Sequence, residues 1–109
     1  MEAKSNGRRR MEPDKRREEL LKAALKLAHC GGFKQVMQKD IAQATGCSPA
    51  LVAKYFGERS LLPGIIMAAA IKYEDVEVLL QGLSVGDITA RGAPEELRNA
   101  AKNRLDLEL

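Results

Sequence analysis

Residues 40–56 read Asp40-Ile-Ala-Gln-Ala-Thr-Gly-Cys-Ser-Pro-Ala-Leu-Val-Ala-Lys-Tyr-Phe56. The pattern predicts two short helices joined by a glycine turn, the arrangement that lets a small protein lay one helix in the DNA major groove. Ile41 and Ala42 fall on the inner side of the first helix. Gly46 stands at the turn, where a positive φ is needed. Cys47, Val52 and Tyr55 fall where the second helix packs back on the first. Ser48, Pro49, Ala50, Leu51, Ala53 and Lys54 are left outside, and they are mostly small or basic, which suits approach to a base-pair edge. Ser48 is a good N-cap and Pro49 takes the favoured first helical position.

Outward from this stretch, the chain reads as all-α. Residues 1–12 hold Gly7-Arg8-Arg9-Arg10 among polar neighbours, with no apolar period, and are expected to form a flexible basic arm. A first helix is expected from Pro13-Asp14, with an apolar stripe of Leu20, Leu21, Ala24, Leu25, Leu27 and Ala28, ending at Gly31-Gly32. Phe33 and Val36 read as core plugs before a second helix over Met37–Thr45. These elements make residues 13–62 a three-helix helix-turn-helix domain. Residues 63–109 are expected to hold a long fourth helix, apolar from Ile65 to Leu80, then a loop at Gly82–Asp87 and a short C-terminal helix from Pro94. The fourth helix is apolar around more of its circumference than a surface helix requires. That excess points to a second chain, with Ile66, Ala69, Tyr73, Val76, Leu80, Leu97, Ala101 and Leu105 as the candidate dimerisation residues.

Charge divides the same way. Residues 1–17 carry seven basic and three acidic residues, and residues 18–73 carry seven and four. Residues 74–109 carry four basic against eight acidic residues. The basic part holds the glycine-hinged pair, as a phosphate-binding surface would require. Two Tyr, two Phe and no Trp leave too few aromatics for a platform that stacks single-stranded bases. Two cysteines are too few for a disulfide framework, and no ligand set with zinc spacing surrounds His29-Cys30, so neither metal nor cofactor is expected. The charged start does not read as a signal peptide, and the run from Leu61 to Ile71 is far short of the ~20 residues of a membrane span. A cytosolic protein without membrane contact is expected. One His, no nucleophile–base pair and no phosphate-cradling loop argue against an enzyme.

The stretch from about Arg16 to Leu62 resembles the DNA-binding region of the tetracycline-repressor (TetR) family. The resemblance rests on Ile41-Ala42, Gly46-Cys47-Ser48, Tyr55-Phe56, Arg59 with Leu61-Leu62, and the Glu18–Ala28 helix with its Gly-Gly-Phe exit. Three features depart from the family. Met37 stands where a Thr or Ser usually caps the second helix against a phosphate. Ala53 stands where a Tyr usually makes a further phosphate contact. The family's longer ligand-binding region also has no counterpart in residues 63–109, so a small-molecule inducer is not expected.

Together these readings imply a homodimeric regulator of double-stranded DNA, a repressor by the family's habit, reading a near-palindromic operator and compact enough for a plasmid- or phage-borne autoregulator. The expected DNA-binding residues are Arg8, Arg9, Arg10, Lys39, Ser48, Pro49, Ala50, Leu51, Lys54, Tyr55 and Arg59. Duller roles stay open for some: Leu51 packed on a neighbour, Lys54 merely solvated, Tyr55 and Phe56 in the core. A rival function also stays open, an adaptor or antagonist that binds protein through the apolar fourth helix and the acidic end.

Overall fold

The sequence demands helices, and the computed structural model supplies them. It describes residues 12–108, with side chains through residue 104. Among the described residues there are α-helices and one 3-10 turn but no strand. They run α1 (Pro13–Gly31), α2 (Gln38–Thr45), α3 (Pro49–Phe56), α4 (Leu62–Lys72), α5 (Val76–Ser84), α6 (Ile88–Arg91) and α7 (Glu95–Glu108), with the 3-10 turn at Arg59–Leu61. No helix among them is long and apolar enough to cross a membrane.

The helix ends follow local chemistry. Pro13 opens α1, where its missing N–H costs nothing, and Asp14 sits in the same first turn. Gly32 closes α1 at φ 95°, a conformation that penalises any Cβ. Ser48 Oγ accepts from Leu51 N–H at 3.1 Å and fixes the start of α3. Asp75 and Asp87 cap α5 and α6 the same way, accepting from Val78 N–H and Ala90 N–H. Each such cap is worth about 1 kcal/mol.

The core joins front to back. α1 packs on α2, which packs on α3, while α4 lies against α1, α5 and α6, and α5 lies against α7. Leu20, Ala24 and Ala28 from α1 meet a single cluster with Ile41, Val52, Leu62, Ile66, Met67, Val78, Leu79 and Ala101, all fully buried. Gln81 on α5 stitches the exit of α1 to this core. Its amide donates to Ala28 O at 3.0 Å and accepts from Phe33 N–H at 2.9 Å.

The back of the chain departs from the expectation of one long fourth helix and a short last one. The apolar run breaks at Tyr73-Glu74-Asp75 into α4 and α5. Glu74 adopts φ 55°, and the backbone closes a Schellman turn: Asp75 N–H reaches Ala70 O at 2.7 Å and Glu74 N–H reaches Ile71 O at 3.2 Å. Asp75 then begins a new helix as its cap. The short helix α6 forms in the segment just after the expected loop, and α7 extends over 14 residues, longer than α4 at 11.

That break lets the chain cover much of the apolar excess by itself. Two short helices can fold back on each other, and α6 and α7 cover them. Ile66, Ala69 and Ala101 are consequently buried inside the chain's own core, at 0%, 4% and 0% exposure. These three cannot line a contact between copies while this fold is kept.

Candidate nucleic-acid interface

The turn between α2 and α3 is built from Gly46, Cys47 and Ser48. Gly46 takes φ 74°, ψ 24°, the left-handed conformation that favours glycine. Thr45 Oγ1 bonds back to Ile41 O at 2.8 Å and meets Cys47 Sγ at 3.0 Å, so the thiol is part of the packed turn. Val52 and Phe56 point into the core, and Tyr55 lies half-buried against it. Burying each of the larger side chains contributes about 1.5–3 kcal/mol.

Two polar contacts lock the far end of α3. Arg17 donates to Tyr55 O at 3.0 Å, and its guanidinium stands 5.3 Å over the Phe56 ring. Gln38 donates to Gly57 O at 2.8 Å. Both donors satisfy carbonyls that a helix C-terminus leaves without intrahelical partners. The periodic pattern marks Arg17 and Gln38 only as polar positions of their helices, because their partners lie 38 and 19 residues away.

With its inner side fixed, α3 presents Ser48, Pro49, Ala50 and Lys54 to solvent, with Leu51 and Ala53 half-exposed between them. No carboxylate lies on this helix. Lys39 and Arg59 are also exposed. They meet in a groove of about 570 Å³ that runs from the start of α2 past Pro49 to the 3-10 turn. Lys34 and Ser60 line the same groove, and its flanking acids are Asp40, in the first turn of α2, and Glu58, just before the 3-10 turn. Lys34 was not singled out from the sequence, since its place beside Lys39 and Arg59 depends on the loop between α1 and α2. Met37 caps α2 without a side-chain hydrogen bond, and Asp40 accepts from Met37 N–H at 3.3 Å.

A larger concavity, about 690 Å³, lies between α1 and the end of α2. It is lined by Lys15, Glu18, Lys22 and Lys26 over Ala23 and Leu27, so it mixes both signs of charge at an open surface. Arg8, Arg9 and Arg10 lie outside the described residues.

Of the other residues expected at a contact between copies, Tyr73, Val76, Leu80 and Leu97 are half-buried against the core. The side chain of Leu105 lies outside the described residues. Among the described residues, the large apolar side chains most exposed on the back of the chain are Val85, at 57% exposure, and Ile88, at 85%. Periodicity hid both, because they sit in or beside the segment that reads as a loop.

Spacing along the chain shows nothing beside His29 but Cys30, while folding brings two carboxylates to its ring. Asp75 and Glu77 meet the imidazole from the start of α5. No family model, no curated protein and no solved structure matches the chain.

Proposed function

We propose that this chain is a sequence-specific double-stranded DNA-binding regulator that lays α3 in the major groove. The observation that carries the reading is the outward side of α3, which bears no carboxylate, beside a groove lined by Lys34, Lys39 and Arg59. Ala50 and Leu51 offer apolar contact to a thymine methyl, and Lys54 reaches a guanine edge or a phosphate. The first-turn N–H groups of α2 and α3 add partial positive charge for phosphates. Lys34, Lys39 and Arg59 take over the phosphate contacts that Met37 and Ala53 cannot make in the manner of the tetracycline-repressor family. The likeness to that family rests here on the residues of the chain alone.

A dimer fits this reading, since two recognition helices about 34 Å apart read two half-sites of a near-palindrome. Its contact would use Tyr73, Val76, Leu80 and Leu97 with the exposed Val85 and Ile88. Occlusion of a promoter by such a dimer is repression, and a cytosolic location goes with it. The rival reading, a protein-binding adaptor, draws on the same exposed Val85 and Ile88.

Selection of bound duplexes from a random pool at two salt concentrations separates the two. A regulator enriches a two-fold symmetric site, and its affinity falls steeply with salt. Lys39→Ala and Arg59→Ala should each flatten the slope of log K against log salt by about 0.9, while leaving the fold intact. A pool that returns no enriched sequence, or slopes unchanged in both variants, overturns the DNA reading.

A further inference from the structure

We infer that His29, Asp75 and Glu77 form a site for a divalent transition-metal ion, with Zn2+ as the representative species. The three side chains converge from two elements that are far apart in sequence. His29 sits in the last turn of α1. Its Nε2 lies 2.7 Å from Asp75 Oδ2, and its Nδ1 lies 2.7 Å from Glu77 Oε1. One ligand atom from each residue falls within 4.8 Å of the others.

The donor set is an imidazole and two carboxylates, which suits zinc and its first-row neighbours rather than calcium or magnesium. Ligands about 2.0–2.1 Å from a tetrahedral zinc stand about 3.4 Å apart, so the 2.7 Å contact on the coordinating nitrogen must open while the wider separations in the cluster, up to 4.8 Å, close. The side chains allow it. An ion binds one ring nitrogen, and the carboxylate on the other side must swing across. Glu77 can do so, with 43% of its side chain exposed. Asp75 is held more firmly, because its Oδ1 caps α5 through Val78 N–H at 3.2 Å and leaves Oδ2 turned to the imidazole. Arg104 bonds Glu77 Oε2 at 3.0 Å, leaving Oε1 toward the ring. Solvent reaches the cluster through His29 and Glu77, so water can fill the remaining coordination position, as in open zinc sites.

Binding would replace the proton on the coordinating nitrogen with the metal. It would also tie the end of α1 to the start of α5 across the Glu74 turn. The site is therefore a staple between the front and back of the chain, and it stands whether or not α3 binds DNA.

His29 is the chain's one histidine, so its ring resonances report the site without ambiguity. The full chain is titrated with ZnCl2 by calorimetry, with histidine-ring NMR and thermal unfolding in parallel. The expected result is one ion per chain, a shift of the His29 ring signals and a rise in Tm with zinc concentration. His29→Gln and Glu77→Gln should each weaken binding by more than about tenfold and abolish the Tm rise, while their helical circular dichroism stays that of the parent. Asp75→Asn keeps a capping side chain and should weaken binding as well. No uptake of zinc at roughly millimolar concentration, or equal uptake by the parent and the folded His29→Gln variant, overturns the assignment.

Discussion

The front and back of this molecule treat their apolar residues differently. In α2 and α3, each short helix buries one narrow side, at Ile41 and Ala42 and at Val52 and Phe56, and leaves the other to solvent. In α4 and α5, the run is apolar almost throughout, and the chain consumes the surplus by breaking the run and folding the pieces together. Apolar excess in a segment is therefore evidence of a second chain only once breaks within the segment are accounted for. At the front, spacing alone says which side is covered. At the back, the coverage depends on three helices that meet only after folding.

The contrast can be broken by mutation. The largest effect is expected from Ile66→Ala, which empties a fully buried position in α4. Loss of about 2–5 kcal/mol of unfolding free energy is expected, independent of protein concentration, as urea melts at several concentrations would show. A concentration-dependent loss would mean that Ile66 is buried between copies after all. Next comes Gly82→Ala. Gly82 is where α5 crosses its neighbours, and an added Cβ would lie 2.6 Å from both Ala90 Cβ and Met67 Cε. The methionine can yield but the alanine sits on backbone, so a cost of about 1–3 kcal/mol is expected in the same assay.

Smaller effects sharpen the comparison at the turns. Ser48→Ala removes the cap of α3 and should lower stability by about 1 kcal/mol, and Ser48→Asp should restore most of it. Equal stability of the alanine variant would show that packing of Val52 and Phe56 alone sets the helix start. The smallest change is expected at Glu74, whose left-handed backbone disfavours a side chain. Glu74→Gly should raise stability by roughly 0.5 kcal/mol, the relief of strain being partly offset by glycine's freedom in the unfolded chain. A destabilised glycine variant would mean that the glutamate side chain, not the turn, holds α4 and α5 apart.

The candidate interface was legible in part. Gly46, Ser48, Pro49 and the exposed run through Lys54 follow from residue type and helical spacing, which act over a few residues. Lys39 and Arg59 were readable as basic flanks. Lys34 was not, because only the path of the loop after Gly32 sets it beside them. The meeting of His29 with two carboxylates was wholly hidden. Its acids lie 46 and 48 positions further on, at the cap and first turn of a helix whose start depends on the Glu74 break.

By itself, the sequence determined the helical class, the helix start at Pro13 and the cap at Ser48, the left-handed turn at Gly46 and the inner sides of α1, α2 and α3. Those features arise from φ preferences, capping hydrogen bonds and a period of 3.6 residues, all local properties of the chain. Only the tertiary structure decided that the long apolar run divides, that Ile66 and Ala101 are covered by their own chain, and that His29 meets two carboxylates. Which surface covers an apolar side, and which charges become neighbours, depends on segments that are distant in sequence and meet only when the helices pack.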